Sequence, residues 1–287
     1  MQIGRLGAWY SMDKLGGPQQ IRQFAATVER LGYDVLWYPE SRGFESFSVA
    51  GFALGSTTKL KLGSSIASMY ARDAFTSRQG MLTLNALYGD RFILGLGVSH
   101  PPMVERMRGH RYEKPVPAMR AYLDNIAKTE SWSPDWPIVI AALGPLMLKL
   151  AAEKTLGAVP YNTNPHHTAE AAKILGPDKW LAIEQKVTLE ADPARARALG
   201  RKELERYLAL DNYRNNFLRI GFTEADLSNG GSDRFIDDMV LWGGAEKVKQ
   251  GLRAHFAAGA THVAIQPVHA DGDTAARDAI LTALADT

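Results

Sequence analysis

The sequence predicts a closed (β/α)8 barrel, the TIM barrel, with an insertion between its seventh and eighth strands. Three observations lead to it. Apolar runs of strand type alternate with segments of helical period along the chain. Eight such runs fit within 287 residues, a length that suits one barrel of this kind. The first run is followed by Tyr10-Ser11-Met12-Asp13, where a dinucleotide-binding sheet would carry Gly-x-Gly-x-x-Gly. Strand–helix alternation calls for a parallel sheet; an open, doubly wound sheet is the alternative.

The first strand runs from Ile3 to Tyr10. A loop with Gly16-Gly17-Pro18 leads into a helix whose apolar positions, Ile21, Phe24, Ala25 and Val28, share one face, and Gly32 ends it. Asp34 to Tyr38 is the second strand, broken by Pro39-Glu40-Ser41. Leu60 to Ile66 is the third, and Met81, Leu84 and Leu87 mark the helix after it. Arg91 to Val98 is the fourth, followed by a helix carrying Met119, Tyr122, Leu123 and Ile126 on one side. Pro137 to Ala142 is the fifth, with Leu146, Met147, Leu150 and Ala151 in its helix. Gly157 to Asn162 is the sixth, weakened by Pro160. Ile183 to Leu189 and His262 to Val268 complete the set. Between these two lies a charged helix from Pro193 to Leu210, opened by Asp192-Pro193 as cap and first-turn residue, then a mixed stretch with a turn at Asn229-Gly230-Gly231-Ser232. Residues from about 193 to 240 therefore read as a mainly helical insertion on a single domain spanning 1–287.

Composition narrows the functional classes. Lys plus Arg is 33 against 31 for Asp plus Glu, a net charge of +2 that gives no footprint for nucleic acid. Cysteine is absent, which excludes disulfides, thiolate catalysis and Cys-ligated metals. No apolar run has the length of a membrane span, and Met1 to Gly7 lacks the apolar core of a signal peptide. A cytoplasmic protein that contacts neither membrane nor nucleic acid is expected.

In a barrel, chemistry sits at the C-terminal ends of the strands. Glu40 and His100 each follow a strand and could form an acid–base pair, or simply satisfy loop hydrogen bonds. No metal centre is expected: the first strand lacks His-x-His, the neighbours His166 and His167 read as a solvated loop, and His255 and His262 read as structural. No Gly-x-Ser-x-Gly elbow is present. The turn Ala141-Ala142-Leu143-Gly144-Pro145 would offer backbone amides to a phosphate at a helix N-terminus. Gly95 and Gly97 in a central strand imply close approach, by a ligand or by a neighbouring backbone.

Together these segments resemble the bacterial luciferase-like superfamily of flavin and deazaflavin oxidoreductases. The resemblance is carried by Leu62-Gly63-Ser64-Ser65-Ile66-Ala67, by Tyr88-Gly89-Asp90-Arg91-Phe92-Ile93-Leu94-Gly95-Leu96-Gly97, by Leu36-Trp37-Tyr38-Pro39-Glu40 and by Ala257 to Val263. Gly89-Asp90-Arg91 departs slightly from the family's Ser-x-Gly-Arg. Pro193 to Arg197, Tyr207-Leu208 and Gly221-Phe222 are similar to the branch that uses coenzyme F420.

The resemblance implies a bulge with a non-prolyl cis peptide at Ser65-Ile66, with Ile66 backing the cofactor ring and Ser64 or Ser65 bonding its edge. It implies cofactor contacts from Gly97, from Ala142, Leu143 and Gly144 at the phosphate, and from Tyr161 and Asn162. It sets Glu40 and His100 where F420-dependent sugar-phosphate dehydrogenases of the family carry a His and a Glu, so the residue types are exchanged and a sugar phosphate is disfavoured as substrate. The expected activity is hydride transfer between F420 and a small organic molecule, with Trp9, Tyr10, Trp37, Tyr38, Met69 and Tyr70 around the substrate. FMN with oxygen chemistry, or non-catalytic cofactor binding, are the alternatives. The resemblance also implies a homodimer.

Overall fold

The strand-type runs close into a parallel barrel in the computed structural model, which describes Met1–Thr287. Its staves are β1 (Leu6–Trp9), β2 (Val35–Tyr38), β3 (Lys61–Ser64) continued by β4 (Ala67–Ser68), β5 (Phe92–Gly97), β6 (Ile138–Ile140), β7 (Gly157–Ala158), β8 (Trp180–Thr188) and β10 (His262–Pro267). Neighbours pair in that order, and β10 pairs back onto β1 through Leu6↔Val263 and Ala8↔Ile265. A short strand absent from the sequence reading, β9 (Val240–Trp242), pairs in parallel with the end of β8. Its three residues follow a helix without a turn signal, so no alternation marks them.

The connecting helices start where local chemistry lets them. Pro occupies the first turn of α1 (Pro18–Arg30), α4 (Pro115–Ala127), α5 (Pro145–Lys154), α6 (Pro165–Leu175) and α7 (Pro193–Leu208), where its missing N–H costs nothing. Asp73 caps α3 (Ala74–Tyr88) by accepting the Thr76 N–H, and Gly89 ends it in the left-handed conformation at φ 67°. Glu45 caps α2 (Ser46–Leu54). The chain between β8 and β9 folds into α7, α8 (Asp211–Arg219) and α9 (Asp233–Met239). After β9, α10 (Ala245–Ala257) and α11 (Thr274–Leu284) flank β10.

Apolar side chains divide into three bodies. One fills the barrel: Trp9, Val35, Trp37, Ile93, Val139, Val159, Ala182 and Ala264. A larger one lies between strands and helices. A third, with Tyr207, Tyr213, Phe217, Phe222 and Phe235, belongs to α7, α8 and α9. Trp37 and Tyr38, expected around a substrate, are 1% and 0% exposed and are core.

Two fully buried histidines lock the structure in their neutral form. His262 Nδ1 meets the Gly4 carbonyl at 2.6 Å, while its Nε2 accepts the Trp37 indole N–H at 2.9 Å. Nε2 must then stay unprotonated, because a proton there would face the indole hydrogen. Gly7 is required beside it, since a Cβ would overlap this imidazole. His255 bridges Thr168 Oγ1 at 2.8 Å and Gln185 Oε1 at 2.7 Å. Burial pushes both imidazoles down to about 4. A depressed folded-state pKa means the unfolded chain binds the extra proton first. Stability is therefore complete above the ordinary value near 6.5 and falls as pH drops toward 4. Urea unfolding between pH 6.5 and pH 5 should lose roughly 2 kcal/mol for each of the two. Equal unfolding free energies at the two pH values would contradict neutral burial.

Candidate functional site

The third stave carries one residue too many. Gly63 pairs with Ile93 and Ala67 with Leu96. Four steps along β3–β4 (67 − 63) thus oppose three along β5 (96 − 93), which is a bulge. The peptide between Ser65 and Ile66 is cis. The two glycines of β5 make room for it: a Cβ at Gly95 would overlap the Ser64 carbonyl, and one at Gly97 would overlap the Ile66 side chain. The close approach implied by the sequence is thus by neighbouring chain. Gly97 gives its side-chain space to Ile66. Ser64, expected at the ring edge, is turned into the sheet instead. Its hydroxyl donates to the Gly95 carbonyl at 2.8 Å and accepts the Gly95 N–H at 3.0 Å, and it is fully buried. Ser65 and Ile66 remain half-exposed at the barrel mouth.

Glu40 holds this bulge from the end of β2. Its N–H donates to the Ile66 carbonyl at 3.2 Å, and its Oε2 accepts the Ser68 N–H at 2.8 Å. The Arg72 guanidinium grips both of its carboxylate oxygens and also reaches Glu45 at 2.7 Å. The Glu40 and Arg72 side chains are 4% and 8% exposed. Burial alone would lower the Arg72 pKa, but its bonds to Glu40 outweigh that and raise it.

His100 sits past the end of β5, after Ser99 at φ 56°. Its carbonyl accepts the N–H groups of Met103 and Val104, which open a single π-helical turn at Pro102–Met107. Its ring packs on Tyr213 of α8 at 5.7 Å. Burial lowers its pKa; the Asn212 side chain opposes the shift and the Arg206 charge adds to it. The imidazole is a neutral group near physiological pH. No hydrogen bond joins it to Glu40, so the two candidates do not form a pair.

The turn after β6 is open. Leu143 and Gly144 donate their amides to no other carbonyl. A Cβ at Gly144 would meet nothing within 4 Å, and no side chain caps α5. Uncapped amides at the positive end of a helix suit an anion. The Leu143 carbonyl, by contrast, is held twice, by His167 Nε2 at 2.9 Å and by Arg219 of α8 at 2.8 Å. Ala142 is packed in the core and can offer only its backbone.

Tyr161 and Asn162 follow β7 and enter a polar network that the sequence reading missed. The Tyr161 hydroxyl donates to Gln266 at 2.9 Å and lies 2.9 Å from the Tyr207 hydroxyl. An aromatic arc runs from Trp9 through Tyr161 and Tyr207 to Tyr213, with ring centroids 5.1, 5.4 and 5.0 Å apart. Below it, Lys186 Nζ stands 3.9 Å from the Tyr161 ring centroid and pairs with Glu184. Burial pushes Lys186 down and Glu184 up, and their attraction opposes both shifts. The available signal was two charges two residues apart in a strand, which places both on one face.

Five buried polar side-chain atoms have no partner: Trp9 Nε1, Asn162 Nδ2, Thr163 Oγ1, His167 Nδ1 and Asn216 Nδ2. Their residues lie at the end of β1, past the end of β7, in the first turn of α6 and on α8, around the same mouth. Such atoms cost roughly 1–3 kcal/mol each unless something bonds them. A hollow lined by Leu123, Trp132, Ile138, Lys154 and Lys179 opens at the other end of the barrel, where these folds carry stability rather than chemistry.

Comparison with known proteins agrees with this architecture. The family model for luciferase-like monooxygenases matches residues 4–262. A Mycobacterium tuberculosis protein, named for an inferred coenzyme F420-dependent oxidoreductase activity, is 33% identical over 159 residues, 55% of this chain and 44% of its own length. The chain spans about half the length of the curated relatives it matches. Among solved structures, the coenzyme F420-dependent tetrahydromethanopterin reductase of Methanopyrus kandleri superposes with a TM-score of 0.74 at 18% identity, covering 99% of this chain and 98% of that one. The oxygenating constituent of 3,6-diketocamphane monooxygenase from Pseudomonas putida, in complex with FMN, gives 0.71 at 16% identity over 99% and 98%.

One substitution tests the bulge and one the turn after β6. Arg72→Met strands the buried Glu40 carboxylate and should cost roughly 3–5 kcal/mol in chemical unfolding. Gly144→Ala, in open space at φ −84°, should leave the unfolding midpoint unchanged. A neutral result for Arg72→Met would mean that Glu40 does not depend on it.

Proposed function

The chain belongs to the luciferase-like monooxygenase family, and from that premise we propose that it is an F420-dependent oxidoreductase, passing a hydride between the deazaflavin and a small organic substrate. One observation carries the reading. An apolar shelf at Ser65-Ile66 and an uncapped, anion-receptive turn at Leu143-Gly144 stand on one rim, with β5 between their strands. The donor set fits a planar ring ending in a phosphate ester. The F420-dependent names of the relatives support the choice of cofactor.

Bound F420 would supply the hydride chemistry; the protein supplies binding, orientation and the proton. Ile66 backs the ring, and the Ser65 hydroxyl, free of any internal bond, is placed to meet its edge. The amides of Leu143 and Gly144 receive the phosphate, with Ala142, Tyr161 and Asn162 lining the same side. His100 moves the proton through its neutral imidazole, which can accept one or, once charged, return it. Glu40 keeps both carboxylate oxygens on Arg72 and Ser68 and shapes the shelf. The aromatic arc and α8 keep water away from His100. An FMN-dependent oxygenase is the second reading, because a monooxygenase constituent of the same fold is solved in complex with FMN.

Parallel fluorescence titrations of the apo-protein with oxidised F420 and with FMN separate the two. Saturable micromolar binding of F420, with FMN weaker, is expected; the reverse order would move the assignment to FMN. His100→Asn should leave F420 affinity unchanged and lower turnover of small alcohols or carbonyls by about 10²–10⁴-fold. Undiminished turnover would remove His100 from proton transfer.

A further inference from the structure

We propose that the buried Lys186–Glu184 pair is a positioning device. It turns the Asn162 carboxamide so that its NH2 group is offered to a phosphoryl oxygen, making Asn162 a determinant of selectivity for phosphate-bearing ligands. The proposal rests on the cofactor-phosphate reading above and adds the residues that set it.

Glu184 and Lys186 project from the inner face of β8, below the mouth, and their side chains are 3% and 1% exposed. Lys186 Nζ donates to Asn162 Oδ1 at 2.6 Å and to the two Glu184 oxygens at 3.2 and 3.3 Å. Glu184 Oε2 accepts the Asn162 N–H at 3.3 Å. Both the side-chain oxygen and the backbone amide of Asn162 are thus fixed by one ion pair. The amide cannot be flipped, because its NH2 would then face the donor hydrogens of Lys186. Asn162 Nδ2 is left pointing away from Lys186 with no partner, in a residue 2% exposed. Its backbone sits at φ 57°, a left-handed conformation that a non-glycine residue holds when its surroundings impose it.

What gathers nearby is mostly donors. The Leu143 and Gly144 amides are free. Thr163 Oγ1 and Asn216 Nδ2 are buried and unpartnered. Arg219 stands on the Leu143 carbonyl and on Asn216 Oδ1. His167, whose Nε2 is engaged with Leu143, adds one acceptor. Unpaired donors beside a guanidinium suit an oxyanion better than a cation or an apolar group. Tyr213 and Phe217 share one apolar cluster with Leu143 and Tyr161 over these atoms, so a ligand that reaches them displaces that face of α8.

Asn162→Asp and the double variant Glu184→Gln/Lys186→Met test this in the full-length apo-protein. Asn162→Asp keeps the oxygen facing Lys186 and replaces the outward donor by an acceptor. The double variant removes both buried charges, a change that folds commonly tolerate. Thermal melts in inorganic phosphate, against chloride of equal ionic strength, are the first readout. Wild type should be stabilised by phosphate and both variants should not. In fluorescence titration, F420 should bind both variants at least tenfold more weakly. The deazaflavin riboside that lacks the phosphate should bind all three proteins alike. A wild type indifferent to phosphate, or either variant responding to it as wild type does, would overturn the assignment. If wild type binds neither deazaflavin yet loses its phosphate response in the variants, the F420 reading fails and this inference stands.

Discussion

One extra residue in the third stave governs the open end of the barrel. A strand with a surplus residue must push a peptide out of line, and the neighbouring strand must yield space. Gly95 and Gly97 yield it, one to the Ser64 carbonyl and the other to Ile66. The loop after β2 then closes over the displaced segment, with Glu40 bonded to Ile66 and Ser68 and neutralised by Arg72. A carboxylate buried this deeply needs its partner, so the ion pair belongs to the architecture of the shelf. His100, past the end of β5, stands apart from that ion pair and packs on Tyr213.

The barrel interior changes character along its axis. Its middle is filled by Trp37, Val35, Ile93, Val139 and Ala264, tight enough that a fixed imidazole tautomer at His262 is part of the packing. Above lie Glu184, Lys186 and Gln266, all nearly unexposed, bonded to each other or to the residues after β7. Charges are tolerated there because each finds a partner within hydrogen-bond reach. The apolar layer supplies stability and the polar layer supplies orientation.

The helices between β8 and β9 finish the site. Tyr207 comes from α7, and Tyr213, Asn216 and Arg219 come from α8; each touches a strand-end residue, respectively Tyr161, His100 and, for the last two through Arg219, the Leu143 carbonyl. The mouth is therefore built by both the barrel and its appended helices, and the two cannot be separated chemically.

The sequence by itself determined the eight staves, most of the helices between them and the rim on which function would fall. These follow from periodicity, caps and glycines, which act over a few residues and are written locally. Two helices came only with the structure: α2, apolar on every face, and α6, whose His166 and His167 read as a solvated loop although His167 is fully buried. The sequence also marked the Gly95-x-Gly97 anomaly and the anion-receptive turn at Gly144, while the Ser65-Ile66 bulge was implied only by the family resemblance. Only the tertiary structure decided what those features serve. Glu40 meets Arg72, 32 residues away, and Gly97 meets Ile66. Asn162 meets Lys186, 24 residues on, and His100 meets Tyr213 from a segment that reads as insertion. Such meetings depend on strand order, register and the side of the barrel each residue faces, and no local pattern encodes them.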